Sequence, residues 1–179
     1  MAIFRPRLPS HVDELLGRAP GERVMAVARD ERTEAFIIAT TTRLCVLPPD
    51  QAPKPGQFRV PVRPIKRAWH EVASGALEPM TGTISVTWVE GGRASQWTLT
   101  SGARRFAEVF HDRVAASVII DAPVQIDGRT FGRVAIRRNL ATGEPLRQEV
   151  WSGGGRLDPV VLDYAERILD DLAEQAGMV

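Results

Sequence analysis

The hydrophobic pattern of the chain changes its period once, and this change limits the folds that the chain can adopt. Residues 83–89 alternate apolar and polar side chains with a period of two, which is typical of a half-buried strand. Residues 104–118 repeat apolar side chains at helical spacing instead. A helix with one apolar stripe has to pack on another surface, and the preceding strands supply it. The sequence therefore predicts a helix packed on antiparallel sheet.

Short extended segments fill much of the chain before this helix. Residues 23–29, 35–40 and 43–47 are rich in apolar side chains, and the last two segments are predicted to form a hairpin. Prolines in residues 48–56 exclude a helix or a central strand, so these residues are predicted to be an exposed loop. Residues 58–72 are predicted to be extended, and Pro61 and Pro64 keep their first part at the edge of a sheet.

The sequence predicts a helix near each end of the chain. Near the start, Ser10 can cap a short helix that Gly17 ends. Near the end, a hairpin that turns at residues 141–145 comes first, and Asp158 and Pro159 then begin the last helix as a cap and a first helical residue. Between the helix at residues 104–118 and the C-terminal hairpin, the apolar pattern is predicted to break at Pro123 and then to restart.

Several segments resemble one bacterial domain family. They are residues 21–28 (GERVMAVA), residues 39–47 (ATTTRLCVL, with a T-x-x-R-L pattern followed by aliphatic residues), residues 69–72 (WHEV) and residues 81–86 (TGTISV). In order and type they are similar to the strands of the pleckstrin-homology-like (PH-like) domain, in particular those of an uncharacterised actinobacterial group. The resemblance spans a little over half of the chain and transfers no catalytic or ligand-binding residue.

The resemblance implies an α+β fold, with a PH-like antiparallel seven-stranded β-barrel capped by a C-terminal amphipathic helix and followed by a β-hairpin plus helix extension. We expect an N-terminal segment with a short helix at residues 1–21, the barrel and its helix at 22–120, and the ββα extension at 121–179. The extension is too small to be stable alone. It is therefore predicted to pack on the barrel or on a second copy.

Charge and cysteine content exclude some classes of function. The formal net charge is only +1, which argues against nucleic-acid binding. The single cysteine, Cys45, lies in an apolar run and is predicted to be a buried thiol. The chain starts without the pattern of a signal peptide, and no apolar run reaches the roughly 18 residues that span a bilayer. A cytoplasmic location is predicted, with an option of peripheral attachment to the inner face of the membrane.

The best candidate for a binding surface is a group of basic residues in and after the proline-rich loop. We call residues 54–67 the basic segment, and its cationic residues are Lys54, Arg59, Arg63, Lys66 and Arg67. Prolines keep such a segment extended and reduce the entropy lost on binding. The segment could bind anionic lipid headgroups or an acidic protein segment. It could also be a solvated edge whose charges discourage aggregation.

Other polar groups are less promising as sites. Four arginines at positions 129, 133, 137 and 138 form a second basic group, which we expect to face the acidic C-terminal helix. The three histidines, His11, His70 and His111, lack the spacing of metal ligands or of a catalytic dyad. The sequence therefore predicts no catalytic residue, no metal site and no cofactor.

These observations predict a non-catalytic binding or adaptor module that acts through protein–protein interaction. The alternative is peripheral binding of anionic membrane lipid through the basic segment. A protein partner is expected, and a homo-oligomer is an open option. The tryptophans are expected to be core or half-buried strand residues, with Trp151 packing the extension onto the barrel.

Overall fold

The structure is a computed structural model that describes residues 8–49, 62–100, 102–153 and 156–178. Its three α-helices are α1 (Ser10–Leu16), α2 (Ala103–Ser117) and α3 (Pro159–Gln175), and a single-turn 3-10 helix spans Trp69–Glu71. The described strands are β1 (Val24–Arg29), β2 (Phe36–Thr40), β3 (Arg43–Leu47), β4 (Ile65–Ala68), β5 (Val72–Glu78), β6 (Thr83–Trp88), β7 (Ser95–Thr98), β8 (Val118–Ile126), β9 (Arg129–Arg138) and β10 (Pro145–Trp151).

The strands form three antiparallel sheets in the described residues. The first sheet has the order β1-β2-β3-β4 and the second has the order β5-β6-β7. A single bridge between Asp30 and Leu99 connects these two sheets. Helix α2 follows β7 and buries Phe106, Val109 and Phe110 in a core that it shares with both sheets. The third sheet has the order β10-β9-β8, and α3 packs on it.

The structure confirms the α+β class, the antiparallel sheets and a C-terminal helix. Seven of the described strands precede α2. They lie in one four-stranded and one three-stranded sheet rather than in a closed barrel, so the barrel itself is not confirmed. The predicted domain boundaries at residues 21 and 120 stay predictions.

The C-terminal extension has one strand more than the predicted hairpin plus helix. Strand β8 begins at Val118, directly where α2 ends at Ser117, and it continues through Pro123. The sequence predicts that the pattern restarts after this proline, and proline cannot donate a backbone hydrogen bond. The strand tolerates Pro123 because β8 lies at the edge of its sheet, where one side of each strand has no neighbour. The extension is therefore βββα.

The ends of the helices agree with the sequence in part. Gly17 adopts the left-handed conformation that ends α1, and Asp158 accepts a hydrogen bond from the Val160 N–H at the start of α3. Ser10 is the first residue of α1, and its N-cap is Pro9. The prediction that Ser10 caps α1 is therefore wrong, although the predicted helix is present.

The tryptophans divide between two cores. Trp69 is fully buried and Trp97 nearly so in the core under α2, whereas Trp88 is half-buried at its margin. Trp151 packs against the core between α3 and the third sheet. It therefore helps to close the extension's own core, and the expectation that it joins the extension to the first two sheets is wrong.

Arg137 joins the extension to the rest of the chain. Only 4% of its surface is exposed to solvent. Its Nη2 donates hydrogen bonds to the carbonyl oxygens of Trp69 (3.0 Å) and Val72 (3.1 Å) and to Ser117 Oγ (2.6 Å). Burial lowers the pKa of this guanidinium. The three bonds connect β9 to the 3-10 helix, to the start of β5 and to the end of α2.

Gly75 marks a close approach between β5 and α2. A β-carbon at this position would lie 2.5 Å from Cζ of Phe110, whose ring is buried. We expect Gly75→Ala to lower the free energy of unfolding by about 1–3 kcal/mol, because the added methyl overpacks this contact.

Urea unfolding of the single variants and of the double variant with Phe110→Leu measures this contact. The two substitutions are expected to couple, so that Gly75→Ala costs less when leucine replaces the ring. Strictly additive effects of the two substitutions would contradict the overpacking argument.

Candidate functional site

The basic segment is only partly within the described residues. Lys54 and Arg59 lie outside them, whereas Arg63, Lys66 and Arg67 lie inside. The side chain of Arg63 is exposed just before β4. Lys66 and Arg67 belong to β4, which is an edge strand of the first sheet. Of the three described cations, Arg63 and Lys66 are exposed and Arg67 is half-buried.

Lys66 is bonded to the C-terminal end of α1. Its Nζ donates a hydrogen bond to the carbonyl oxygen of Leu15 at 2.6 Å. Arg43 donates from Nη2 to the next two carbonyls, those of Leu16 (3.0 Å) and Gly17 (2.9 Å). The last carbonyls of a helix have no partner within the helix, so cations stabilise them. Lys66 therefore helps to hold α1 against the first sheet.

Arg67 is occupied by two carboxylates and an aromatic ring. Its Nη1 donates to Glu71 Oε1 at 2.9 Å and to Glu90 Oε2 at 3.2 Å, and its Nη2 contacts Glu90 Oε1. The guanidinium carbon lies 5.7 Å from the centre of the Trp88 ring. Arg67 thus connects β4 to the 3-10 helix and to the end of β6. Its charge is already neutralised within the chain.

The backbone edge of β4 is short and partly capped. The Trp69 N–H donates to the Thr42 carbonyl, so the alternation of the ladder directs the backbone groups of Lys66 and Ala68 away from β3. The Ala68 N–H is taken by Glu71 Oε2 at 2.7 Å. Little main chain is left here for another strand to pair with. Recognition at the basic segment would therefore depend on side chains.

The most perturbed carboxylate of the described residues is Glu22, whose side chain is 1% exposed. One oxygen accepts hydrogen bonds from Thr40 Oγ1, Thr42 Oγ1 and Arg43 Nε, and the other accepts from the Ala19 N–H and Arg43 Nη2, all within 2.6–2.9 Å. Burial alone would raise the pKa of Glu22, but these bonds, led by that of Arg43, outweigh it and lower the pKa to about 2.

Glu22 serves the fold rather than chemistry, because its hydrogen bonds saturate both oxygens. It connects the turn after α1 to the hairpin of β2 and β3. Glu22 is not among the site residues predicted from the sequence. The available signal was the T-x-x-R-L pattern of residues 40–44, whose Thr40 and Arg43 both bind this carboxylate.

The second basic group does not face α3 as a unit. Arg133 pairs with Asp121 of β8, Arg129 lies 4.8 Å from the centre of the Phe131 ring, and Arg137 is buried as described above. The arginine that pairs with the acidic helix is Arg147 of β10, through Glu166 (3.5 Å) and Asp170 (2.8 Å). The predicted contact between strand and helix exists, but we assigned it to the wrong strand.

The remaining candidates are separate from one another. Cys45 is fully buried, and burial raises the pKa of its thiol to about 11. Burial also lowers the pKa of His70, whereas His111 is exposed on α2. Within the part of the chain that the structure describes, no three His, Cys, Asp or Glu side chains are grouped so that they could hold a metal ion.

Comparisons with family models, with curated proteins and with solved structures each found no match. Among the described residues, no helix has the length and apolar character needed to cross a bilayer.

Proposed function

We propose that the protein is a non-catalytic binding module that acts through protein–protein interaction, with the basic segment as its contact surface. The observation that supports this proposal is the arrangement around Arg63. This exposed cation lies two residues before the start of β4, and β4 is fixed by the bonds of Lys66 and Arg67. A charged segment that is anchored at one end by a fixed strand loses less conformational entropy on binding than a segment that is free at both ends.

The proposed partner presents an acidic segment. Arginine forms two parallel hydrogen bonds to a carboxylate, so Arg59 and Arg63 suit such a partner. Because the backbone edge of β4 is short and partly capped, side-chain contacts rather than strand addition would give the affinity. Electrostatic attraction of this kind raises the association rate and weakens with salt.

We also propose that residues 22–120 adopt the PH-like fold. The order of the elements supports this: a four-stranded antiparallel sheet is followed by a three-stranded one and then by a helix that packs on both. The Asp30–Leu99 bridge between the two sheets is consistent with strands that curve toward each other. A fold of this kind presents functional residues on its loops, and Arg63 lies in the described residues that lead into β4.

Binding of anionic membrane lipid is the alternative for the same segment. Each basic residue near an anionic surface contributes roughly 1 kcal/mol when its charge is available. Arg67 is neutralised by Glu71 and Glu90, and Lys66 is bonded to α1, so the full set of five charges is not free for a membrane. This reduction favours a protein partner over a lipid surface.

A pull-down from native lysate with matched charge variants tests the proposal. Arg59→Glu/Arg63→Glu is expected to lower the recovery of bound protein about tenfold, because each reversal replaces attraction by repulsion. Arg67 is left unchanged because it holds the fold. Arg32→Glu/Arg93→Glu is the control: it changes the net charge equally at two exposed arginines elsewhere, and recovery should stay near that of the wild type.

Equal recovery with both double variants would contradict the proposal. Co-sedimentation with vesicles distinguishes lipid binding from binding of a protein partner. If the wild type binds anionic but not neutral vesicles, and Arg59→Glu/Arg63→Glu removes this binding while the lysate recovery is unaffected, the segment binds lipid and the adaptor proposal is wrong.

A further inference from the structure

Strand β10 has one edge that pairs with no other described strand. It pairs with β9 alone, and it is the first strand in the sheet order β10-β9-β8. Hydrogen bonds at both ends of this hairpin, from the Asn139 N–H to the Glu144 carbonyl and from the Ser152 N–H to the Phe131 carbonyl, fix the alternation of the ladder. The alternation directs the backbone groups of every second residue of β10 outward.

The outward residues of β10 are Arg147 and Glu149, with Pro145 and Trp151 at the ends. Among the described residues, the backbone groups of Arg147 and Glu149 have no hydrogen-bond partner on the outer side. Two other edges carry protection: β8 contains Pro123, and the outward N–H of Ala68 in β4 is taken by Glu71. The open edge of β10 is therefore a place where another strand can add.

We infer that β10 pairs antiparallel with β10 of a second copy of this chain, around a two-fold axis at Gln148 that places Arg147 opposite Glu149 of the second copy. In this register the outward N–H and C=O groups of Arg147 and Glu149 bond to each other across the axis. The two three-stranded sheets would become one continuous six-stranded sheet.

The charges select this register over its neighbours. Only outward residues can form the hydrogen-bonded pairs, so the register can change only in steps that keep these residues opposite one another. One step one way places Arg147 opposite the second Arg147, and one step the other way places Glu149 opposite the second Glu149. Opposite charges across a strand pair are favourable and like charges are not. The register with its axis at Gln148 alone pairs both charges correctly.

The other face of β10 is also compatible with this pairing. Leu146 would lie opposite Val150 of the second copy, and Gln148 would lie opposite the second Gln148. Both aliphatic side chains are half-buried in the single chain. Gln148 Oε1 is buried and has no hydrogen-bond partner among the described residues. An amide N–H from the second Gln148 supplies the donor that this oxygen lacks.

The acidic residues near the edge limit the strength of the pairing. Arg147 already contacts Glu166 and Asp170 of α3, and Glu149 accepts a hydrogen bond from Trp151 Nε1 at 3.1 Å. In the pair, each Arg147 would lie between these carboxylates and Glu149 of the second copy. A single pair of strands buries less area than a standard interface, so we expect a dissociation constant on the order of micromolar or weaker.

The self-association does not depend on the proposed function, which uses the basic segment. Light scattering on size-exclusion fractions, over a series of concentrations, tests it with the full chain. The wild type should shift from the 19.7 kDa monomer toward twice that mass as its concentration rises. Arg147→Glu and Glu149→Arg should each raise the dissociation constant about tenfold, because each variant places like charges opposite one another in two symmetric pairs.

Mixing the two charge variants distinguishes strand pairing from a loss of folding. One copy then carries two acidic and the other two basic residues on the outward edge, so their mixture should form a dimer at a concentration where neither does so alone. Arg104→Glu, on the exposed face of α2, is the control and should dimerise like the wild type.

Two proline substitutions test which backbone groups of β10 point outward. Glu149→Pro removes an outward N–H and should abolish the dimer while the far-UV circular dichroism is unchanged. Gln148→Pro removes an N–H that bonds to β9 and should lower the melting temperature. A wild type that stays monomeric over the whole series, or charge variants that fail to recover on mixing, would overturn the inference.

Discussion

Glu22→Gln is expected to lower the free energy of unfolding by about 3 kcal/mol at neutral pH, because it breaks a buried ion pair and leaves Arg43 without its carboxylate. Glu22 accepts five hydrogen bonds from the turn after α1 and from the β2–β3 hairpin. An amide in its place cannot accept all of them. Glu31→Gln, at an exposed carboxylate, is the control and should change stability by less than about 0.5 kcal/mol.

The pH dependence of this effect has a definite sign. The folded-state pKa of Glu22 is lowered from its ordinary value of 4.5 to about 2. The unfolded chain therefore binds this proton first as the pH falls. The stabilisation is fully present above pH 4.5, decreases between pH 4.5 and 2, and is lost below.

Urea unfolding from pH 7 to pH 2 measures both effects. The curves of the wild type and of Glu22→Gln should converge as the pH approaches 2. A constant difference over this range would show that the loss comes from packing and not from the charge of Glu22.

Trp69→Ala is expected to have the largest effect, a loss of about 3–5 kcal/mol in the free energy of unfolding. The side chain is fully buried and meets the ring of Phe110 edge-on, with 5.6 Å between the centres. Its Nε1 donates a hydrogen bond to the Thr40 carbonyl at 2.9 Å. The substitution thus creates a cavity and also leaves a buried carbonyl without this donor.

Trp88→Ala is the matched comparison for this prediction. Trp88 is half-buried and its Nε1 bonds to Ser95 Oγ at 3.1 Å, near the surface. Unfolding followed by far-UV circular dichroism avoids the change in fluorescence that either substitution causes. If Trp88→Ala cost as much as Trp69→Ala, the assignment of Trp69 to the centre of the core would be wrong.

Local patterns predicted the elements of this fold but not their long-range contacts. The change of hydrophobic period predicted α2, and the Asp158-Pro159 pair predicted the start of α3, because these signals lie within a few residues. Strand β8 was missed because Pro123 is a breaker in a central strand and acceptable in an edge strand. Which of the two applies depends on the neighbouring strands, and the sequence does not show them.

The candidate site shows the same limit. Composition and spacing identified the basic segment, but Lys66 bonds to Leu15, which lies 51 residues earlier in the chain. Arg67 bonds to Glu90, 23 residues later. Whether an arginine is free for a partner or occupied within the chain depends on such contacts. A count of charges could not distinguish Arg63, which is exposed, from Arg67, which is neutralised.

The position of Arg137 has a consequence for the order in which the chain folds. The carbonyl oxygens of Trp69 and Val72 precede Arg137 by 68 and 65 residues. During synthesis they leave the ribosome well before their donor, so water has to occupy the place of the guanidinium while the first two sheets form. Docking of β9 then exchanges that water for Arg137. We therefore expect the carbonyls of Trp69 and Val72 to gain this buried hydrogen-bond partner only late in folding, when β9 docks.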